Sequence, residues 1–323
     1  MNMKIIKIHN PRAENFKLIE WSLHNVCNYD CGFCNHVSKG GNYRWLDNSV
    51  YLKAIDKFID QAELENKKIY FMFTGGEPTL IPDFLVLLKH VKNRGHFTNL
   101  LTNGSRTLRW WQEAADANCI DNMWLSHHTE QGADVNLTVS IVELFKDLPT
   151  NICTIVTAPP SHFDESYRNH QYIVDNAVCT SSFRYIYLPQ STLYNYTPEQ
   201  LEILQKNTSV KSKRFEQEKK FHWIPFPWEK INVVFEDGTE KIDHPTTYVS
   251  RGEANFFGWQ CSIGRDFLRI EHTNIYRGTC KQDGKIGDIL DEDFGFATTD
   301  TTCTIPRCNC IADFNQPKIK KVL

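Results

Sequence analysis

Between Glu20 and Pro189 one pattern occurs six times: a short β-branched or aromatic run, a polar turn and an amphipathic helix. The predicted strands are Leu18–Asn25, Lys68–Thr74, Thr98–Thr102, Met123–Ser126, Ile152–Thr157 and Phe183–Leu188. The predicted helices span 49–65, 81–94, 108–117, 134–147, 164–177 and 198–220. This succession predicts an α/β fold with a parallel sheet and external helices, either doubly wound or a partial barrel. In both architectures the functional loops follow the C-terminal ends of the strands.

After residue 228 the hydrophobic period changes to two, which is typical of β-strands. Two hairpins are predicted there: Ile231–Phe235 with Thr239–Ile242, and Phe267–Glu271 with Ile275–Arg277. The proline- and aromatic-rich run 221–228 breaks the earlier rhythm and marks a boundary. We therefore expect two domains, a barrel over 1–228 and a small hairpin-rich domain over 229–323.

Composition excludes several classes of protein. The net charge of −3 gives no broad basic face for nucleic acid. The first twenty residues lack the apolar core of a secretion signal, and no apolar window approaches the ~20 residues of a membrane span. The eleven cysteines are gathered mainly near the two ends of the chain. Thiolates that bind metal in a reducing cytoplasm explain this better than a disulfide framework does.

Three cysteines lie on the loop after the first predicted strand. Cys27, Cys31 and Cys34 have the spacing C-x3-C-x2-C. Three soft sulfur ligands can hold three corners of an iron–sulfur cube and leave the fourth iron open for a small molecule. A structural zinc ion needs a fourth Cys or His ligand, and His36 could supply it. From this loop alone, both metals remain possible.

A glycine pair follows the second predicted strand, in the run Thr74-Gly75-Gly76-Glu77-Pro78-Thr79. The glycines let the backbone come close to a ligand, and Glu77 offers a carboxylate to an ammonium group. By itself this run is also an ordinary turn into a helix. Together with the three cysteines one strand earlier, it resembles the radical S-adenosylmethionine (SAM) superfamily.

The resemblance covers residues 18 to about 190 and implies a role for each matching position. The implied ligands of a [4Fe–4S] cluster are Cys27, Cys31 and Cys34, with Phe33 as the aromatic residue before the third. The implied SAM contacts are Gly75, Gly76 and Glu77 at the amine, Asn103 near the ribose, Ser126 as a polar contact, and Tyr185–Leu188 along the adenine. In this family an electron from the reduced cluster cleaves SAM, and the resulting 5′-deoxyadenosyl radical abstracts a hydrogen atom from the substrate. The resemblance also implies an electron donor such as flavodoxin or ferredoxin.

A second group of cysteines lies in the hairpin-rich region and predicts a second metal site. Its members are Cys261, Cys280, Cys303, Cys308 and Cys310. They resemble the auxiliary-cluster modules, SPASM and the shorter twitch, that many of these enzymes carry. Five cysteines suit one auxiliary [4Fe–4S] cluster with one thiol left over. Cys261 and Cys280 are the expected ligands, and two more come from the last three.

The remaining candidates have weaker patterns. His127, His128 and Glu130 follow the fourth strand at the active edge, where they could bind substrate, move a proton or only support the site. Cys119, Cys153 and Cys179 stand singly and are expected to be buried apolar residues.

The substrate is predicted from the resemblance. Relatives with such modules mostly modify ribosomal peptides by crosslinking, epimerisation or thioether formation, so a peptide is expected. About twenty residues precede the first predicted strand, too few for a fused leader-binding domain, so a separate leader-peptide-binding protein is a possible partner. The alternative is radical rearrangement or oxidation of a small molecule, a nucleotide or a sugar. A non-enzyme alternative is an iron–sulfur electron-transfer or sensor protein.

Overall fold

The computed structural model describes residues 4–34, 39–186, 194–219 and 230–320, with the Arg12 side chain excepted. The strands of its N-terminal two thirds are β1 (Ile5–His9), β2 (Phe16–Ser22), β3 (Lys68–Thr74), β4 (Phe97–Thr102), β5 (Asn122–His127), β6 (Asn151–Thr157), β7 (Thr180–Arg184) and β8 (Val210–Lys211). The helices there are α1 (Asn48–Leu64), α2 (Phe84–Asn93), α3 (Leu108–Asp116), α4 (Val135–Leu144), α5 (Phe163–Asn176), α6 (Pro198–Lys206) and α7 (Phe215–Glu218). Within the described ranges, none of the helices is both long and apolar enough to cross a membrane.

Strands β2 to β7 lie side by side in chain order and are parallel. Helices α1 to α5 connect them, as in an open, partial barrel. The register places Ser22 beside Thr74, and Thr102 beside Leu125, so the loops after these strands meet at one edge. This confirms the predicted fold class.

The two faces of the sheet have different partners because side chains alternate along a strand. Ile19 and Trp21 on β2 belong to the main core with the buried face of α1. Leu18, on the opposite side of the same strand, packs with Tyr70 and with Cys261 of the C-terminal region. The inner face of the partial barrel is therefore covered by the part of the chain that carries the second cysteine group.

The C-terminal region contributes strands to two sheets. Its strands are β9 (Ile231–Phe235), β10 (Glu240–Asp243), β11 (Gln260–Cys261), β12 (Phe267–Glu271), β13 (Asn274–Arg277), β14 (Gln282–Asp288), β15 (Thr301–Thr302) and β16 (Lys318–Ile319), with short helices α8 (Pro245–Ser250) and α9 (Ile311–Phe314). Both predicted hairpins are confirmed as β9–β10 and β12–β13. Strand β12 pairs in parallel with β2 and so extends the barrel sheet.

Strand β1 was not expected from the sequence. It pairs with β9 on one side and β16 on the other, in a second sheet. Its partners are more than two hundred residues away, so no local turn or helix signals it. Chain from both predicted domains shares this sheet, and the boundary at 221–228 stays a prediction because those residues lie outside the described ranges.

Two predicted elements were wrong in their extent. The predicted helix over 198–220 is broken into shorter elements. The Asn207 side-chain amide donates to Ile203 O at the end of α6, and the chain then forms β8, which pairs with β7. The last barrel strand is Thr180–Arg184 rather than Phe183–Leu188. After it, the Ile186 amide donates to the Tyr196 hydroxyl at 2.9 Å instead of continuing a ladder.

Phe58 on α1 joins the barrel to the C-terminal region, and its truncation tests that packing. Its ring is fully buried and contacts Trp21, Phe294 and Phe296 at centroid distances of 6.5, 5.2 and 5.5 Å. We expect Phe58→Ala to lower the free energy of unfolding by about 3–5 kcal/mol because it leaves a cavity. Urea denaturation measures this. Leu64→Ala, on the exposed end of the same helix, should change it by less than about 0.5 kcal/mol, and equal effects would contradict the packing described.

Candidate active site

A cavity of about 200 Å³ lies at the C-terminal edge of the barrel strands, where the functional loops were predicted. Eight of the residues predicted from the sequence line it: Cys27, Cys31, Phe33, Cys34, Gly76, Glu77, Asn103 and Ser126. Gly75 precedes the glycine that lines it. The structure thus brings the residues of four separate loops or strand ends to one place.

Backbone hydrogen bonds join the glycine motif to the start of the cysteine loop. The Gly76 amide donates to His24 O at 2.8 Å, and the Glu77 amide donates to Val26 O at 2.9 Å. A Cβ atom at Gly76 would lie 1.9 Å from Val26 O, and Gly75 has a φ of +137°. Only glycine permits this approach. The sequence suggests a ligand as the partner of the close approach, and the structure shows the backbone of the cysteine loop.

The Glu77 carboxylate is buried and accepts several hydrogen bonds. Its Oε1 accepts from Thr102 Oγ1 at 2.8 Å and from both the amide and the hydroxyl of Thr79 at 3.1 and 2.6 Å. Its Oε2 accepts from the Asn103 amide at 2.7 Å. Burial raises the pKa of Glu77, and these hydrogen bonds oppose the shift in part. Thr102, which precedes the predicted Asn103 and was not itself predicted as a site residue, is therefore part of the site.

Asn103 links the end of β4 to the cysteine loop. Its Nδ2 donates to Asn28 Oδ1 at 3.0 Å and lies 3.9 Å from Cys27 Sγ. The Tyr29 amide donates to the same sulfur at 3.4 Å. Burial raises the pKa of the Cys27 and Cys31 thiols. Metal binding must therefore remove protons from these thiols, as it does for any cysteine ligand.

The two histidines after the fourth barrel strand have different environments. His127 is buried and hydrogen-bonds to Thr138 and Asn169, and burial lowers its pKa to about 4. It supports the strand end as a neutral ring. His128 lines the cavity, stacks on Phe33 with an interplanar angle of 22°, and lies 3.5 Å from Cys31 Sγ.

The same corner could in principle hold a single metal ion. Ligand atoms of Cys31, His128 and Glu130 lie within 4.8 Å of one another. This arrangement would use one of the three motif cysteines and leave Cys27 and Cys34 without a role. The predicted fourth zinc ligand, His36, lies outside the described residues. The geometry alone leaves both options, and the family decides between them.

The model of the family described as the radical SAM superfamily matches residues 21–193, more than half of the 323 residues. The chain belongs to the radical SAM superfamily. Membership implies an enzyme that binds a [4Fe–4S] cluster and SAM, and the donor set fits them. Three thiols line one cavity, and a backbone that glycine alone permits lies beside them. A set of three thiol ligands is the pattern expected of a [4Fe–4S] cluster that leaves one iron open, rather than of zinc.

Two individual proteins are similar to parts of this chain. A probable GTP 3′,8-cyclase of Pyrobaculum aerophilum is 25% identical over 159 residues, which is 48% of this chain and 43% of that protein. A 7-carboxy-7-deazaguanine synthase of Haemophilus influenzae is 32% identical over 82 residues, 25% of this chain and 34% of that protein. The chain thus spans less than half the length of these curated relatives.

A solved structure shares most of the fold. Native anSMEcpe with bound AdoMet and a Kp18Cys peptide has a TM-score of 0.52 at 17% identity, over 86% of this chain and 78% of that one. The structure matches 86% of this chain, whereas the family model matches residues 21–193 only. The similarity in fold therefore extends beyond the barrel into the hairpin-rich region.

The C-terminal cysteines lie between the inner barrel face and the second sheet. All five lie in the described part of the chain as thiols, without a disulfide among them. Cys261, Cys280 and Cys310 contact the apolar group that includes Leu18 and Tyr70. Cys303 and Cys308 contact a neighbouring group around Phe256, Trp259 and Phe314. Burial raises the pKa of Cys280 to about 12, and the charges of Asp313, Cys261 and Cys303 add to this shift.

Gly76→Ala tests whether the backbone junction holds the site together. The added methyl group meets a carbonyl oxygen rather than a flexible side chain, so the Glu77–Val26 hydrogen bond must break. We expect SAM binding, measured by anaerobic calorimetry, to weaken by at least about tenfold, or about 1.4 kcal/mol. Gly287→Ala is the control, because its nearest atom would be 3.6 Å away. Unchanged affinity in a folded Gly76→Ala protein would contradict this role.

Proposed function

We propose that this radical SAM enzyme abstracts a hydrogen atom from a peptide, as the first step towards a crosslink, an epimer or a thioether. The observation that carries the proposal is the cavity in which three thiols face the Gly76–Glu77 segment. A peptide is favoured by the fold shared beyond the barrel with two proteins whose structures contain peptides. One is anSMEcpe with its Kp18Cys peptide, and the other is Streptococcus suis SuiB with the precursor peptide SuiA. The SuiB structure has a TM-score of 0.51 at 13% identity, over 87% of this chain and 63% of that one.

In this proposal each residue of the cavity has a defined role. Cys27, Cys31 and Cys34 hold the cluster by three corners. The Gly76–Glu77 segment meets the amine of SAM, while Asn103 and Ser126 meet its ribose and neighbouring polar groups. When bound, the reduced cluster supplies the electron that cleaves SAM and so generates the hydrogen-abstracting radical. The stacked Phe33 and His128 rings cover one side of the cavity and limit the access of water.

A neighbouring cavity of about 370 Å³ is the proposed entrance for substrate. It is lined by Ser22, which pairs with Thr74 of the first cavity, so the two cavities open side by side. Its polar lining includes amide and phenol groups such as Asn42, Asn274 and Tyr276, together with one carboxylate and two imidazole rings. Groups of this kind suit the backbone amides of a peptide.

The second candidate is a small-molecule reaction on a nucleotide or sugar. It is favoured by the matching relative described as a probable GTP 3′,8-cyclase. A gene for a short precursor peptide beside this one would favour the peptide, and nucleoside or sugar biosynthesis genes would favour the alternative. The electron-transfer or sensor alternative is disfavoured by membership of a family of enzymes.

The proposal also includes one auxiliary [4Fe–4S] cluster in a twitch- or SPASM-like domain over 229–323, and a cytoplasmic location. It further includes flavodoxin or ferredoxin as electron donor and a separate leader-peptide-binding protein as a partner.

Formation of 5′-deoxyadenosine tests the proposed chemistry. The protein reconstituted anaerobically with iron and sulfide, then given dithionite and SAM, should release 5′-deoxyadenosine, which chromatography with mass detection measures. Cys27→Ala removes one corner of the cluster and should abolish the product. Equal, background-level amounts from both proteins would overturn the proposal.

Iron content tests the auxiliary cluster. Reconstituted protein should bind about eight irons per chain, and the double variant Cys261→Ala/Cys280→Ala about four. Cys119→Ala is the control because this buried thiol belongs to the main core and to neither cysteine group. About four irons in the unaltered protein, or about eight in the double variant, would contradict an auxiliary cluster on these ligands.

A further inference from the structure

A buried lysine lies among the C-terminal cysteines. Lys318 on β16 is 3% exposed and is the direct cross-strand partner of Cys261 on β11. Directly opposed residues of an antiparallel pair project to the same face, with Cβ atoms about 5 Å apart. The lysine side chain and the first expected ligand of the auxiliary cluster therefore lie next to each other.

The ammonium group of Lys318 is held in place by neutral groups. It donates to the backbone oxygens of Asp313, Phe314 and Gln316, the last two at 3.3 and 3.0 Å. Its Nζ lies 5.4 Å from the ring centroid of Phe256, which contacts the apolar group around Cys303 and Cys308. These contacts fix the position of the charge but do not neutralise it.

Among the described residues, no carboxylate oxygen lies within 4.0 Å of this ammonium group. The nearest acidic side chain in the region, Asp313, accepts the Thr279 amide at 2.8 Å with Oδ1. A buried ammonium group that no carboxylate pairs directly is costly, so an anionic partner is expected at this place.

We propose that Lys318 is the fixed counter-charge of the auxiliary iron–sulfur cluster and raises its reduction potential. The inference rests on the auxiliary cluster of the proposed function. A cube held by thiolates is anionic and becomes more so on reduction, and net charge and nearby hydrogen bonds set its potential. A buried positive charge beside Cys261 stabilises the reduced form more than the oxidised form. Lys318 thus acts as a positioning residue through the cluster and does not contact the substrate.

The test is a redox titration of the auxiliary cluster in the full chain. The background variant Cys27→Ala/Cys31→Ala/Cys34→Ala removes the SAM cluster, so electron paramagnetic resonance reports the auxiliary cluster alone. In this background, Lys318→Met should move the midpoint potential to more negative values. Lys318→Arg, which keeps the charge, should stay near the unaltered value. Lys241→Met is the control because Lys241 is a half-exposed lysine of the same sheet, on β10.

An unchanged midpoint potential in Lys318→Met that still holds about four irons in this background would overturn the inference. If Lys318→Met assembles no cluster, thermal unfolding of the iron-free proteins decides. An iron-free Lys318→Met protein at least as stable as iron-free unaltered protein supports the inference, because the ammonium lacks its anionic partner there. A less stable one overturns it. Absence of any auxiliary cluster in unaltered protein would instead refute the proposed function at that site.

Discussion

The active site depends on one backbone junction, in which the glycine motif after β3 pairs with the start of the cysteine loop after β2. The carbonyl oxygens of His24 and Val26 accept the amides of Gly76 and Glu77. These bonds continue the β2–β3 pairing beyond the strands, where side chains on the glycines would collide with the carbonyl oxygens. The cysteine loop is thereby held at a fixed position relative to the barrel edge before any cofactor binds. Preorganisation of this kind reduces the entropic cost of binding.

The buried Glu77 carboxylate extends the same junction to a third strand. By accepting from Thr102 and Asn103 it ties the end of β4 to the end of β3. Asn103 then reaches back to Asn28 beside Cys27. Hydrogen bonds thus connect each of the three loops to the other two. The motif that resembles an amine-binding segment therefore also supports the cysteine loop structurally.

The sequence predicted those features that depend on local pattern. Strand β3 was predicted with its observed bounds. The resemblance to the superfamily assigned Asn103 and Ser126 to the site, and both line the cavity. Features that depend on distant pairing were not predicted. Strand β1 and the parallel pairing of β12 with β2 join segments more than two hundred residues apart. Lys318 acquires its neighbour Cys261 through the pairing of β16 with β11, which no local pattern signals. The break after α6 was missed because Asn207 ends the helix through its side chain.

In the proposed function, Cys27, Cys31 and Cys34 leave one iron of their cluster open for SAM. Electron paramagnetic resonance of the reduced Cys261→Ala/Cys280→Ala protein, which should retain only this cluster, tests the claim most directly. Addition of SAM is predicted to change the spectrum, because the amine and carboxylate of SAM bind to the open iron. A spectrum that stays the same at saturating SAM would show that no iron of this cluster is open to SAM and would contradict the account.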